Sequence, residues 1–122
     1  IYLFPAAVTG ALILFFAWDF GPGSCLADLA VKSKCADIEK RYDEILSNAG
    51  GACTGNADCG CYGPVSVKSG CGGVTDKKSA DRLRELGREF RHTGCDFHIR
   101  CAAWFCNPVC SYGRCNNGPR KR

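Results

Sequence analysis

Eleven cysteines, all between Cys25 and Cys115, constrain the fold of this 122-residue chain more than any other feature. So many cysteines in a short chain are typical of a domain held together by disulfides, which form and persist in oxidising compartments. The sequence therefore predicts a disulfide framework in a periplasm, an extracellular space or an equivalent lumen, built from Cys25, Cys35, Cys53, Cys59, Cys61, Cys71, Cys95, Cys101, Cys106, Cys110 and Cys115.

Because eleven is odd, at least one cysteine is left over. Cys25 is the candidate, since it lies just after a long apolar segment. It could pair with Cys35, pair with another chain, or remain a free thiol. Spacing alone does not fix the connectivity of the other cysteines.

The apolar segment Ile1–Phe20 has no charged residue before Asp19. Twenty helical residues span about 30 Å, the thickness of the hydrocarbon core of a bilayer. Tyr2 and Trp18 lie near its ends, where such aromatic side chains favour the membrane–water interface. The segment predicts a transmembrane or assembly helix whose partners are the lipid bilayer and other protein subunits. The chain contains no methionine, and whether Ile1 is a processed N-terminus stays open.

Residues 21–24, Gly-Pro-Gly-Ser, predict a hinge, with Ser24 capping an amphipathic helix over residues 25–49. Asn48–Gly51 should end this helix, because glycine accepts the left-handed cap conformation. Apolar residues mostly three or four positions apart predict one buried stripe, formed by Leu26, Leu29, Cys35, Ile38, Tyr42, Ile45 and Leu46.

Residues 50–118 predict a cysteine-rich α+β domain. Its first part is rich in turn residues and leaves room for a short strand at Val65–Lys68. A further helix follows, capped by Thr75 or Asp76, with a buried edge formed by Leu83, Leu86 and Phe90. The overall prediction is a small disulfide-rich α+β domain behind an N-terminal hydrophobic helix.

The end of the domain has strand character. Phe97–Phe105 is predicted as a strand, and Trp104 with Phe105 as a core or contact patch. Val109–Tyr112 and Arg114–Asn116 should form a hairpin about Gly113, followed by a basic tail over residues 119–122.

The sequence carries no recognisable metal, cofactor or catalytic motif. No two cysteines are separated by two residues, which argues against zinc-ribbon, thioredoxin-like and c-type haem sites. Cys59 and Cys61 are interpreted as having separate partners. His92 and His98 are the only histidines, and hydrolase, metalloprotease and phosphate-loop motifs are absent. We expect no enzyme activity, no metal and no cofactor.

The net charge of +4 does not predict a nucleic-acid partner. The most charged segment, Asp76–Arg100, mixes seven basic with five acidic residues, which is typical of a solvated helix face rather than a one-sided basic surface.

Two cysteine motifs frame the second half of the chain, CTGNADC at 53–59 and PVCSYGRC at 108–115. Between them lie Cys71-Gly72-Gly73, a helix with Ala80 and Leu83, and then Cys95 and Cys101. Over Cys53–Gly118 this pattern resembles a cysteine-rich module of predicted secreted and membrane- or lipid-anchored proteins of myxobacteria and related bacteria. The resemblance implies an extracytoplasmic location and disulfides, and it implies no activity.

The layout of the chain resembles that of type IV pilins. A hydrophobic helix continues into an amphipathic one over Ile1–Ala49, with Pro22 where such helices often bend, and a small disulfide-bearing head follows. Pro5 stands where those pilins have a glutamate, and Ile1 replaces the usual phenylalanine. The resemblance implies a filament with the hydrophobic helix in its core.

Taken together, these features predict a non-catalytic, single-pass membrane-anchored extracytoplasmic subunit, an accessory component of a larger membrane protein assembly. One alternative is a pilin-like filament subunit or other homo-oligomer. Another is a tethered disulfide-rich binding module whose loops, such as Gly60–Lys68, contact a ligand.

Overall fold

The computed structural model of the chain describes residues 23–96, 100–102 and 105–120. The elements are α1 (Gly23–Asn48), a 3-10 turn (Asn56–Asp58), β1 (Cys59–Tyr62), β2 (Gly73–Asp76), α2 (Lys77–Thr93), β3 (Pro108–Ser111) and β4 (Arg114–Asn117). This α+β fold with its five disulfides confirms the predicted disulfide-rich domain. The hydrophobic helix predicted at Ile1–Phe20 lies outside the described residues. Of the helices that are described, none is long and apolar enough to span a bilayer.

Both ends of α2 follow from its sequence. The Asp76 carboxylate accepts a hydrogen bond of 3.0 Å from the Ser79 N–H, which confirms the predicted N-cap. Gly94 ends the helix in the left-handed conformation, with φ of 82°. The buried face consists of Ala80, Leu83, Leu86, Gly87 and Phe90, so the predicted buried edge is also confirmed.

The two helices pack in opposite directions around one core. Cys35 on α1 is bonded to Cys95 just after α2, while Arg41, further along α1, contacts Glu89, earlier on α2. The core between them is formed by Ile38, Tyr42, Val65, Leu83, Leu86 and Phe90.

The N-terminal part of α1 differs from its prediction in two ways. The helix begins at Gly23, so Gly23 and Ser24 are helical where a hinge and a cap were predicted. Leu26 and Leu29 are 64% and 61% exposed and do not belong to the buried stripe. Leu29 and Cys35 are six residues apart, so at about 3.6 residues per turn their side chains diverge by roughly 120°.

Strands β1 and β2 form an antiparallel pair that the sequence did not predict, with Cys59 opposite Asp76. The strand predicted at Val65–Lys68 is wrong, because this segment folds as a turn. The Ser69 hydroxyl accepts from the N–H groups of Val65 and Ser66, at 2.9 and 3.0 Å, and donates to the Ser66 carbonyl. These side-chain bonds replace those of a strand ladder.

The predicted C-terminal hairpin is confirmed as β3 and β4, with Cys110 opposite Cys115. Its turn residues Tyr112 and Gly113 both have positive φ, at 53° and 75°, as tight hairpin turns require. The strand predicted over Phe97–Phe105 is not formed at residues 100–102 and 105, and its other residues lie outside the described part of the chain.

Candidate functional site

Five disulfides pair all ten cysteines from Cys35 to Cys115. They are Cys35–Cys95, Cys53–Cys110, Cys59–Cys115, Cys61–Cys106 and Cys71–Cys101. Cys59 and Cys61 therefore have separate partners, as predicted, whereas the suggested pairing of Cys25 with Cys35 is wrong. No cysteine of the same chain is left for Cys25, whose side chain lies outside the described atoms.

One group of sulfur atoms has the spacing of a metal site. The Sγ atoms of Cys53, Cys59 and Cys115 lie within 4.8 Å of one another. A metal ion binds cysteine as the thiolate, and all three residues are in disulfides. The group is where two disulfides meet, and metal binding there would first require both bonds to be reduced.

Four residues considered as candidates in the sequence lie outside the residues that the structure describes. They are Tyr2, Trp18, His98 and Trp104. His92 is exposed in the last turn of α2. Phe105 is at the surface rather than in a core, and the Arg120 guanidinium carbon lies 5.3 Å from its ring centroid. This distance is typical of a cation–π contact.

The segment predicted to contact a ligand, Gly60–Lys68, is mostly enclosed. A Cβ atom at Gly60 would lie 2.9 Å from the Ala80 Cβ, so glycine allows β1 to approach α2 closely. Only Val67, 82% exposed, and Lys68 reach solvent freely. Contact between this segment and a ligand stays a prediction.

Buried polar groups fix this segment to α1. The Tyr42 hydroxyl donates to the Gly63 carbonyl, and the Ser66 hydroxyl donates to the Asp43 carboxylate. Burial raises the pKa of Tyr42, and the nearby Tyr62 and Asp43 raise it further. Burial also raises the pKa of Tyr62. Both phenols are held in the neutral form, in which the Tyr42 hydroxyl is a hydrogen-bond donor.

Helix α2 has a cleft on the side that faces α1, which we call the mixed-charge cleft. Its volume is about 410 Å³, and it is lined by Arg41, Glu44, Ile45, Arg82, Glu85, Leu86 and Glu89. Arg41 bridges the carboxylates of Asp37 and Glu89, at 3.1 and 3.3 Å. The basic and acidic groups that line the mixed-charge cleft therefore compensate one another.

A second cleft, the arginine cleft, lies between α2 and the turn after β1. It has a volume of about 170 Å³ and is lined by Gly63, Pro64, Val65, Leu83, Arg84, Gly87, Arg88 and Arg91. No acidic residue is among these lining residues. Sequence reasoning missed this site, although the spacing of the arginines already places them on one helix face.

Searches of protein-family models, curated proteins and solved structures gave no match for this chain.

Proposed function

We propose that this protein is a non-catalytic accessory subunit of a membrane protein assembly, anchored by Ile1–Phe20, with its disulfide-rich domain outside the cytoplasm. The observation that carries the proposal is the pair of exposed leucines, Leu26 and Leu29, on the first turns of α1. Both follow the apolar segment closely in sequence.

Among the residues that the structure describes, none covers these two leucines to any large extent. They lie on a face of α1 turned away from the stripe that carries Ile38 and Tyr42, the first buried positions among the side chains described in α1. Burying a leucine side chain fully contributes about 1.5–3 kcal/mol. A partner that covered both would therefore gain substantial binding free energy from this face.

The position of the leucines favours an integral membrane protein as this partner. If Ile1–Phe20 lies in the bilayer and the helix is continuous, Leu26 and Leu29 stand about two to two and a half helical turns beyond Phe20. Such a face fits an apolar helix of the partner that emerges from the bilayer beside the anchor. The five disulfides favour the oxidising side of the membrane for this contact.

Site-specific photo-crosslinking of the full-length chain in the membranes of its producing cell tests the proposal. A crosslinking side chain at Leu29 should give one adduct with an integral membrane protein, identified by mass spectrometry and confirmed by tagging that protein. The matched control is Val67, which is also apolar and exposed but lies far along the sequence in the domain. It should give no such adduct.

Two further measurements make the test decisive. Leu26→Asp with Leu29→Asp should abolish the association with the tagged partner, while Val67→Asp should leave it intact. Both variants should stay in the pellet on alkaline carbonate extraction. Release of the unaltered chain by carbonate, its recovery in sheared fibres, or equal crosslinking from positions 29 and 67 would each overturn the proposal.

A further inference from the structure

We propose that the arginine cleft is an oxyanion-binding site for a phosphate or sulfate group. The proposal is independent of the anchoring and of the membrane partner, because it rests on α2 and the turn after β1 alone. Arg84, Arg88 and Arg91 follow one another at steps of four and three residues, so their side chains share one face of α2. The cleft contains three guanidinium groups and no carboxylate.

Two of these arginines have no anionic partner within the described part of the chain. Arg84 donates to Asp81, which does not line the cleft. The side chains of Arg88 and Arg91 form no ion pair or hydrogen bond with any residue that the structure describes. This contrasts with Arg41 in the mixed-charge cleft, which bridges two carboxylates. The charge in the arginine cleft is therefore available to a ligand.

The opposite wall of the cleft adds no charged side chain to the site. The Gly63 carbonyl is already bonded by the Tyr42 hydroxyl, and the Val65 N–H by the Ser69 hydroxyl. Pro64 has no N–H group. The charged groups among the lining residues are therefore the three guanidinium groups, beside the apolar side chains of Leu83 and Val65. The charge that a ligand meets in this cleft is positive.

The geometry favours a tetrahedral oxyanion over a carboxylate. One arginine satisfies a carboxylate with two parallel hydrogen bonds, whereas three arginines that line one small cleft can share the oxygens of a phosphate or sulfate group. Gly87 contributes to the space, because a Cβ atom there would stand 3.6 Å from both the Arg91 Nη1 and the Val65 Cγ2. The volume of about 170 Å³ accommodates one such group.

The test uses the full chain in nanodiscs of purely zwitterionic lipid, at constant ionic strength set with chloride. Inorganic phosphate and, separately, sulfate are titrated while the backbone amide signals of Gly87 and Arg88 are followed by NMR. We expect saturable shifts at these two amides with either anion. A second arm replaces part of the lipid by an anionic phospholipid without added phosphate. Shifts in that arm identify a lipid headgroup as the source of the phosphate group, and shifts confined to the first arm identify a soluble one.

Three variants decide whether the cleft is the site. Arg88→Gln combined with Arg91→Gln should weaken binding by roughly a hundredfold, because each charge-assisted hydrogen bond removed costs about tenfold in affinity. Arg91→Lys keeps the charge but loses the planar fork, and it should weaken binding several-fold. Arg82→Gln is the matched control, because it removes one charge from the same helix on the side of the mixed-charge cleft.

The control should change the dissociation constant by less than about twofold, since charge alone has a weak, screened effect at an exposed position. Unchanged amide spectra outside the cleft confirm that each variant is folded. If the control Arg82→Gln weakened binding as much as the double variant Arg88→Gln with Arg91→Gln, the attraction would be diffuse and electrostatic. That result would overturn the proposal. The absence of saturable shifts in both lipid arms would also overturn it.

Discussion

The helix pair α1–α2 and the hairpin β3–β4 are stabilised by different means. The six residues of the buried core lie on the two helices and the turn that packs against them, and one disulfide, Cys35–Cys95, joins this pair. No residue of β3 or β4 is buried. Instead, three disulfides connect the hairpin, and Cys106 just before it, to positions 53–61.

The difference shows how a small domain combines two stabilising effects. Apolar burial stabilises the helices directly in the folded state, at about 25 cal/mol per Å². An isolated two-stranded hairpin is marginal in water, and this one has no buried apolar face. Disulfides stabilise mainly by restricting the unfolded chain, by about 2–4 kcal/mol each. The hairpin therefore depends on its covalent bonds more than the helices do.

Loss of the core should have the largest effect. Phe90 is completely buried between the helices, so Phe90→Ala should lower the free energy of unfolding by about 3–5 kcal/mol. Denaturant unfolding of the oxidised protein, followed by circular dichroism, measures this change. Val67→Ala, at an exposed position, should change it by less than about 0.5 kcal/mol. A similar loss in the two variants would contradict a core formed by the two helices and the turn that packs against them.

Removal of single disulfides should separate the two regions. Two double variants each remove one disulfide. One is Cys59→Ser with Cys115→Ser, and the other is Cys35→Ser with Cys95→Ser. The bonds that they remove have nearly equal sequence separations, 56 and 60 residues. The entropic loss should thus be similar, about 2–4 kcal/mol in each case. Hydrogen exchange should differ: the first pair should deprotect the Cys53 N–H, which donates to the Gly113 carbonyl of the hairpin at 3.0 Å, and the second should leave it protected. The same exchange pattern in both variants would show that the helices and the hairpin open together.

The smallest of these effects concerns Asp76, which lies between the two regions. Burial alone would raise the pKa of Asp76, but hydrogen bonds from Ser79, Gly51 and Thr75 outweigh burial and lower it. A lowered folded pKa means that this stabilisation is present above the ordinary aspartate value of about 3.9 and is lost as the pH falls through the folded value.

Asp76→Ala should therefore cost about 1 kcal/mol at neutral pH, and the cost should shrink in acid. Denaturant midpoints measured between neutral pH and the acid limit of reversible unfolding check both expectations. Val67→Ala, which removes no charge, is the control and should lack this pH-dependent difference. A cost that stays constant in acid would show that the Asp76 charge contributes nothing.

The sequence predicted those parts of the fold that depend on local chemistry. The cap at Asp76, the buried edge of α2 and the hairpin about Gly113 all arise from residues close to one another in the chain. Strands β1 and β2 were missed because each has only four residues and together they contain few β-branched or large apolar residues, and because β1 is held by the disulfides of Cys59 and Cys61. Leu26 and Leu29 were wrongly predicted to be buried, because the six-residue step from Leu29 to Cys35 was treated as part of a continuous apolar stripe.

The candidate sites depend on contacts between distant segments. The spacing of Arg84, Arg88 and Arg91 is visible in the sequence, but the wall formed by Gly63, Pro64 and Val65 is not. Likewise, the two cysteines of each disulfide lie 30 to 60 residues apart, so spacing did not select among the possible pairings. The predicted membrane helix, with Tyr2 and Trp18, stays a prediction.

The position of the Cys35–Cys95 bond has a mechanical consequence. A pulling force applied at the N-terminal end of α1 reaches Cys35 before it reaches Ile38, the first core position described along the helix. The load then passes through a covalent bond to the end of α2, and the weaker apolar contacts behind it are spared direct shear. If the N-terminal segment is anchored as proposed, tension from that anchor would reach the rest of the domain through this bond while the interface between α1 and α2 stays closed.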